Sequence, residues 1–308
     1  MNNKNDFISI VIPVLNNLER LKRCIRCISI QDYPIGKFEV IVIDNGSKNL
    51  SSLKKFLTDF SFTRLFEFTG YKSPYPCRNI GISNALGDII VLLDSNCFPA
   101  QNWLKEGVKS LNENKTDMVA GRIIFEFSDA YRISEIADSL VFVNVENSVK
   151  SGGLPGGNAF IRASAFEVNG LFDEEIRSNG DAIWSKRATR NGLTIGYCEK
   201  AIAFYPAKRL IQFLKKSFRI GYGSLRFWRM EGYSAIRIRR MNLENLRPYK
   251  MLVIKQLIIH RGELDMLDSL PRIWVCLWMG NLMRFLGRST ALLASMSFRD
   301  HTSNPGSN

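Results

Sequence analysis

Carboxylate and amide side chains follow two apolar runs of this chain, and their chemistry suits ligand binding. Asp44 ends the run FEVIVID, and Asp94 ends the run IIVLLD and is followed by Ser95 and Asn96. Oxygens of this kind accept hydrogen bonds from a nucleobase or a ribose, and they also hold hard cations such as Mg²⁺. Each residue alone also has a structural explanation, because Asp and Asn commonly form turns or cap the next helix.

Buried strands must position these side chains. Apolar segments alternate with segments of helical periodicity from Phe7 to Leu93, which predicts a β-α-β-α-β-α-β order. Crossover connections of that kind give a parallel sheet, in which the strands run the same way. We therefore expect Asp44 and Asp94 to lie on one edge, at the carboxyl ends of the strands, where open α/β sheets bind ligands.

The sequence lacks the common motifs for phosphate binding. It contains neither G-x-G-x-x-G nor G-x-x-x-x-G-K-[ST], so the common glycine-rich phosphate loops are disfavoured. A metal ion or basic side chains would have to contact a phosphorylated ligand instead. Arg78 and Asn79 begin a predicted helix and are candidates for contacts to phosphate and ribose. A solvated first turn is their structural alternative.

The net charge of +13 favours an anionic partner, and most of the excess lies after Tyr205. A phosphorylated substrate, an anionic membrane and nucleic acid are the classes that fit. The change near Tyr205 predicts a catalytic domain over 1–205 and a basic, largely helical region over 206–308. The six cysteines are scattered and indicate reduced thiols. The polar start, Met1 to Asp6, predicts that no signal peptide is present.

The basic region combines arginine and lysine with aromatic residues over Lys208 to Arg240. This composition is typical of helices at an anionic bilayer surface, but it also suits single-stranded nucleic acid or a solvated helix face. The apolar segment Ile273 to Met296 favours the membrane, although Arg284 and Arg288 argue against a transmembrane span. We expect either an in-plane helix or a helix packed on the catalytic domain.

Taken together, these motifs resemble those of the GT-A family 2 glycosyltransferases. The resemblance runs from about Phe7 to Tyr205, with the segments in the family's order. They are SIVIPVLN (9–16), VIVIDNGS (40–47), RNIGI (78–82), GDIIVLLDSN (87–96), GGNAFIR (156–162), GLFDE (170–174) and SNGDAIWSKR (178–187).

The resemblance implies an α/β fold of the GT-A type, a Rossmann-like and mostly parallel sheet flanked by helices, with a helical basic C-terminal extension. It implies inverting, metal-dependent transfer of a sugar from a nucleotide-diphospho-sugar to a hydroxyl of a saccharide or lipid-linked saccharide, in polysaccharide or glycolipid synthesis. We expect a cytoplasmic protein, peripheral at the inner face of the cell membrane, with no nucleic-acid partner. The alternatives are a non-catalytic member that binds nucleotide-sugar and, less favoured, a basic nucleic-acid-binding protein.

The resemblance also assigns roles to individual residues. Donor binding falls to Pro13, Val14, Asn16, Asp44, Gly46, Ser47, Arg78, Asn79, Asp94 and Ser95. Acceptor binding falls to Gly157, Asn158 and Trp184. Asp94 and Asn96 would hold Mg²⁺ or Mn²⁺, and Asp181 would be the catalytic base.

Some positions depart from the family's pattern or have a structural alternative. Gly180 stands where the family usually has Glu, and Ile183 where an acidic residue is common. Asn96 replaces an Asp, and its neutral amide oxygen should bind a cation more weakly. Asp181 could instead cap its helix, and Trp184 either stacks on a sugar or belongs to the core.

Overall fold

A computed structural model describes residues 6–128, 132–141, 144–260 and 263–302 of the chain. The prediction that no signal peptide is present rests on Met1 to Asp6. All of that segment except Asp6 lies outside the described residues. The strands are β1 Ile8–Val14, β2 Phe38–Asp44, β3 Thr63–Glu67, β4 Ile89–Leu93, β5 Phe98–Pro99, β6 Met118–Glu126, β7 Asn158–Arg162 and β8 Ile195–Pro206. The helices are α1 Leu18–Ser29, α2 Leu50–Leu57, α3 Pro74–Ser83, α4 Trp103–Glu113, α5 Arg132–Val141, α6 Val145–Lys150, α7 Ala163–Asn169, α8 Gly180–Arg190, α9 Leu210–Met230, α10 Ala235–Glu244, α11 Met251–His260 and α12 Leu270–Thr302, with a 3₁₀ helix at Leu264–Ser269.

The strands form one sheet in the order β3-β2-β1-β4-β7-β6-β8-β5. The first four strands in this order are parallel, as the alternating sequence pattern predicts. Val14 of β1 pairs with Asp44 of β2, and Val11 of β1 pairs with Leu92 of β4. The carboxyl ends of β2 and β4 therefore share one edge, which brings Asp44 and Asp94 to the same side of the sheet.

Strand β7 was not predicted, because it is short and directly follows the glycine-rich segment 151–158. It lies between β4 and β6 and runs antiparallel to both. The backbone N–H of Asp94 donates to the carbonyl of Gly157 at 3.3 Å, just before β7 begins. Insertion of β7 thus places the glycine-rich loop beside the end of β4.

Apolar residues of β1, β2 and β4 are fully buried between helices, which explains their unbroken apolar sequences. α1 contributes Leu21, Ile25 and Ile28 to this core, at the spacing that its periodicity predicts. Trp103 of α4 is also fully buried and packs against Phe160 of β7, with ring centroids 5.2 Å apart. A rigid base therefore supports the polar edge.

The chain forms two compact units, one of Met1–Glu126 with Val143–Pro206 and one of Phe127–Phe142 with Ala207–Asn308. The sequence predicts a division into 1–205 and 206–308. The observed division differs from it because α5 belongs to the second unit. Asp138 of α5 shows why: its carboxylate accepts the backbone N–H of Lys208 at 3.0 Å and pairs with Lys216 Nζ at 3.0 Å. A buried carboxylate needs such partners, and the basic segment supplies them.

Helix α12 packs closely against α9 within the second unit. An ideal Cβ on Gly221 would lie 2.3 Å from the carbonyl oxygen of Arg284, and one on Gly287 would lie 2.2 Å from that of Phe218. Arg284 and Arg288 are buried, and burial together with the charge of Arg284 lowers the pKa of Arg288 to about 10. This favours a packed α12 over a helix that lies in a membrane plane. Among the described residues, no helix has the length and apolar character needed to cross a bilayer.

Candidate active site

Asp44 ends β2 and is almost fully buried. Its Oδ2 accepts the backbone N–H groups of Gly46 at 3.0 Å and Ser47 at 2.8 Å. Gly46 has φ +77°, a conformation that favours glycine, so the turn after β2 depends on both residues. Oδ1 of Asp44 is buried without a hydrogen-bond partner among the described residues. Asp44 therefore forms the turn and also keeps one acceptor that a ligand's N–H or O–H could satisfy.

The loops after β1 and β2 are held together beside Asp44. The backbone N–H of Asn16 donates to Ser47 Oγ at 2.8 Å, and Asn16 Oδ1 accepts the backbone N–H of Lys48 at 2.9 Å. Val14 and these three residues line an open cleft of about 650 Å³. Pro13 is half-buried immediately before Val14. The structure thus brings Pro13, Val14, Asn16 and Ser47 of the predicted donor site together.

Arg78 links the end of β4 to the glycine-rich loop. Its guanidinium is only 3% exposed, and Nη2 donates to Asp94 Oδ1 at 2.9 Å and to the carbonyl of Gly156 at 2.7 Å. Burial opposes the charge, but Asp94, Tyr75 and Asp181 outweigh it and raise the pKa of Arg78. The Asp94 side chain remains 41% exposed, so one face of this ion pair is open to a ligand.

Gly156 connects this ion pair to Asp181. Its carbonyl accepts from Arg78, and its N–H donates to Asp181 Oδ2 at 2.9 Å. An ideal Cβ at this position would lie 2.5 Å from Arg78 Nη1, and one on Gly157 would lie 3.2 Å from Asp94 Oδ2. The loop can approach both charged groups because these positions lack side chains. Two carboxylates that are distant in sequence therefore belong to one hydrogen-bonded cluster.

Asp181 lies in the first turn of α8 and is half-buried. Its Oδ1 accepts the backbone N–H of Ala182 at 3.0 Å and the hydroxyl of Tyr75 at 3.4 Å. The N-cap position of α8 belongs to Asn179, which has φ +65° and makes no side-chain capping bond. Asp181 is therefore not the N-cap residue of α8, although one of its oxygens bonds a first-turn N–H, and its other oxygen accepts from the glycine-rich loop.

Asn79 and Asn158 are engaged within the protein. Asn79 Nδ2 donates to the carbonyl of Phe172 and to Glu174 Oε1, each at 2.9 Å, and its Oδ1 accepts the N–H of Phe172. Asn158 accepts from the Trp103 indole at 2.7 Å and donates to the carbonyls of Arg122 and Ala201. Both amide hydrogens of each residue are used within the protein, so ligand binding by these side chains stays a prediction that would require an internal hydrogen bond to be replaced. They fix the backbone that surrounds the site.

Trp184 belongs to the core rather than to an acceptor pocket. It is 2% exposed, and its indole N–H donates to the carbonyl of Gly170 at 2.6 Å. Its ring packs against Phe166 and Phe172, with centroids 4.8 and 5.3 Å away. A sugar cannot stack on a ring whose faces are covered, so the core alternative describes Trp184.

Ser95 and Asn96 follow β4 beside Asp94. Ser95 is buried and accepts from Asn17 Nδ2 at 3.0 Å, whereas Asn96 is half-buried and makes no hydrogen bond within the described residues. Those residues contain no group of three His, Cys, Asp or Glu side chains arranged to hold a metal. The exposed Asp94 and the uncommitted Asn96 nevertheless offer hard oxygen ligands, which suit Mg²⁺ or Mn²⁺ when a ligand's phosphates supply further oxygens.

Sequence reasoning missed Tyr75 and did not single out Gly156. Tyr75 stands between two prolines at the start of α3, where Ser73 caps the helix by accepting the Tyr75 N–H at 3.3 Å. A buried tyrosine in a polar first turn has no periodic signal. The absence of a side chain at Gly180 was the available hint, because a neighbouring group must fill that space.

Comparison with known proteins identifies the family. A profile of Glycosyl transferase family 2 matches residues 9–169. The chain is 30% identical over 295 residues to the glycosyltransferase AglE of Haloferax volcanii, a match that covers 94% of this chain and 97% of AglE. It is 21% identical over 203 residues to TarS of Staphylococcus aureus, a poly(ribitol-phosphate) beta-N-acetylglucosaminyltransferase, covering 65% of this chain and 35% of TarS.

Solved structures of low sequence identity share the fold. The mannosyltransferase PcManGT from Pyrobaculum calidifontis, in complex with GDP-Man and Mn²⁺, has a TM-score of 0.61 and 17% identity, covering 93% of this chain and 88% of that chain. TarS 1–349 with UDP-GlcNAc has a TM-score of 0.54 and 15% identity, covering 93% and 92%. The predicted GT-A fold is confirmed. The chain belongs to glycosyl transferase family 2 and is a glycosyltransferase.

Proposed function

We propose that the enzyme transfers a sugar, with inversion, from a nucleotide-diphospho-sugar to a hydroxyl group. The observation that carries this proposal is the cluster in which Arg78 and Gly156 join Asp94 to Asp181. In such a transfer, the group that binds the leaving phosphates lies on one side of the anomeric carbon. The carboxylate that accepts the acceptor's proton lies on the opposite side. The structures of PcManGT with GDP-Man and of TarS with UDP-GlcNAc support a donor of this class.

Asp181 acts as the general base in this mechanism. The acceptor oxygen attacks the anomeric carbon while its O–H bond breaks and the proton passes to the Asp181 carboxylate. The bond from the anomeric carbon to the phosphate oxygen breaks with its electron pair, and the nucleoside diphosphate leaves from the opposite face. The product is a glycoside of inverted configuration. The guanidinium of Arg78 lies at the phosphate side and stabilises the charge that develops there.

The donor's nucleoside lies at the edge formed by β1 and β2. Oδ1 of Asp44 is a buried acceptor with no hydrogen-bond partner in the described part of the chain, so an N–H or O–H of a base or ribose can donate to it. The Asn16–Ser47 contact holds the cleft beside it. Asp94 and Asn96 would hold Mg²⁺ or Mn²⁺, and the bound cation would neutralise part of the charge on the leaving diphosphate. The Mn²⁺ in the PcManGT structure supports this assignment.

A binding and hydrolysis screen of purified protein tests the proposal. UDP-, GDP- and dTDP-sugars are supplied with and without Mn²⁺, and we expect one donor class to bind and to be hydrolysed slowly. Binding without any turnover, even with acceptors, would indicate the non-catalytic alternative. Salt-sensitive binding to oligonucleotides without donor binding would indicate the nucleic-acid alternative.

Replacing Asn96 with aspartate should tighten Mn²⁺ binding by about tenfold, since a charged ligand replaces a neutral one. Calorimetry of Mn²⁺ binding in the presence of nucleoside diphosphate measures the change. Asn102→Asp is the matched control, because Asn102 is an exposed N-cap residue of α4 without a capping bond. No heat of Mn²⁺ binding in either Asn96 form would remove the metal from the proposal.

The acceptor is proposed to be a saccharide or a lipid-linked saccharide, in polysaccharide or glycolipid synthesis. Two similar proteins support this class by name. One is TarS, which acts on poly(ribitol-phosphate), and the other is a dolichyl-phosphate-sugar glucuronosyltransferase of Methanococcus voltae, 29% identical over 115 residues. That second match covers 36% of each chain.

A membrane contact at α11 would suit a lipid-linked acceptor. Leu252, Val253 and Ile259 of α11 are exposed, with Leu252 at 66%, while only Ile254 and Ile258 face inward. The flanking residues Arg247, Lys250 and Lys255 are all exposed and basic. An apolar face with basic neighbours matches an anionic bilayer surface. We therefore assign the protein a peripheral location at the inner face of the cell membrane.

The double substitution Leu252→Glu with Ile259→Glu should release the protein from anionic vesicles. It removes apolar burial and adds repulsion, so we expect co-sedimentation with phosphatidylglycerol-containing liposomes to fall at least about tenfold. Ile35→Glu, at an apolar residue that is 84% exposed in the catalytic unit, is the control. Equal co-sedimentation of all variants would reject α11 as the contact.

A further inference from the structure

We infer that Tyr75 is a positioning residue for Asp181. Its hydroxyl orients the Asp181 carboxylate, beside which position 180 carries a glycine and no acidic side chain. The inference rests on the proposed role of Asp181 as base. Tyr75 is nearly fully buried in the first turn of α3, and nothing in the transfer chemistry above uses it.

The hydroxyl of Tyr75 contacts α8 at two points. It accepts the backbone N–H of Gly180 at 2.7 Å and donates to Asp181 Oδ1 at 3.4 Å. The N–H of Gly180 belongs to the open first turn of α8 and needs an acceptor from outside the helix. The phenol thus satisfies the helix terminus and orients the carboxylate beside it.

The ring of Tyr75 fills the space where a side chain at position 180 would begin. An ideal Cβ on Gly180 would lie 2.7 Å from the Tyr75 Cζ and 2.8 Å from both Cε atoms. Real Cβ atoms do not approach ring carbons so closely, so Tyr75 and Gly180 fit one another. The glycine, which departs from the family's pattern, is therefore explained by a tyrosine that is distant in sequence.

Burial and the charge of Asp181 raise the pKa of Tyr75 above its usual range. The phenol therefore keeps its proton throughout the pH range in which an enzyme works. Tyr75 remains a donor to Asp181 and cannot itself compete as a base.

Both oxygens of Asp181 are thereby held. Oδ2 accepts from Gly156, and Oδ1 accepts from Ala182 and Tyr75. Three donors around a carboxylate fix its plane, which general-base catalysis needs because the acceptor proton must meet one lone pair. Arg78 stands one turn further along α3 and contacts Asp94, so one helix face supports both carboxylates.

Tyr75→Phe tests the inference, because it removes the hydroxyl and leaves the ring against Gly180. We expect kcat to fall about 10- to 100-fold, the value of a hydrogen bond to a charged group, with the KM for the donor unchanged. Tyr33→Phe is the matched control, since among the described residues its hydroxyl bonds only to the backbone carbonyl of Asp6, at 3.0 Å. Unchanged kcat in Tyr75→Phe, or an equal loss in Tyr33→Phe, would overturn the inference.

A double-mutant cycle separates this inference from the proposed function. If Tyr75 acts through Asp181, adding Tyr75→Phe to Asp181→Asn lowers the residual rate no further. A further 10-fold or larger loss in that background would assign Tyr75 an independent role and reject positioning. High activity of Asp181→Asn alone would instead reject Asp181 as the base, whatever Tyr75→Phe does.

Discussion

Replacing Asp181 with asparagine is expected to reduce sugar transfer by about 100- to 10,000-fold, which is the range of a lost general base. The amide has nearly the shape of the carboxylate and still offers an oxygen to the N–H of Gly156. It cannot take the acceptor proton as it attacks the anomeric carbon. Donor affinity should be nearly unchanged, because the proposed donor contacts lie at Asp44, Arg78 and Asp94.

Two measurements check this expectation in the same preparation. Transfer is followed by nucleoside diphosphate release with acceptor present, and donor binding is followed by calorimetry. Asp59→Asn, at an exposed carboxylate just after α2, controls for the loss of one negative charge. If Asp181→Asn keeps most of its turnover, the base lies elsewhere, and if donor binding disappears as well, Asp181 holds the donor or the fold of the site.

Gly156→Ala should destabilise the catalytic unit and disturb the Arg78 ion pair. The added Cβ would lie 2.5 Å from Nη1 and 2.9 Å from Cζ of Arg78. A flexible arginine could usually move aside, but this one is buried and bonded to Asp94 and to the carbonyl of residue 156. Since a hydrogen bond to a charged group contributes about 1.5–3 kcal/mol, we expect the free energy of unfolding to fall by about 3 kcal/mol.

The same change should weaken donor binding at least about tenfold, because the displaced guanidinium would no longer hold Asp94 at the proposed phosphate site. Urea unfolding measures the stability, and calorimetry with the donor measures the binding. Gly196→Ala in β8 is the control, since its Cβ would come no nearer than 3.6 Å to Thr116. Wild-type stability and affinity in Gly156→Ala would show that Arg78 is not confined as the structure indicates.

The polar edge of the sheet could be predicted because strand direction follows from local patterns. Asp44 and Asp94 end apolar runs, and parallel pairing then places them together without knowledge of any contact between them. These are consequences of periodicity, which a single sequence contains.

The partners inside the site could not be predicted, because they depend on contacts between distant segments. Asn79 and Asn158 have the polar side chains of ligand-binding groups, but Phe172 and Trp103 take up their hydrogen bonds. Trp184 has an aromatic ring suited to a sugar, but two phenylalanines cover it. Burial decides between these uses, and burial depends on tertiary packing that composition does not reveal.

The antiparallel insertion of β7 has a consequence for folding kinetics. This strand pairs with β4 across a long stretch of chain, so its docking requires the closure of a long loop. Gly156 reaches Arg78 and Asp181 only after β7 has docked, so a catalytic unit without β7 lacks the hydrogen-bonded cluster that joins these two residues. Recovery of donor binding during refolding should therefore report the final strand pairing, and it should lag behind the recovery of helical circular dichroism.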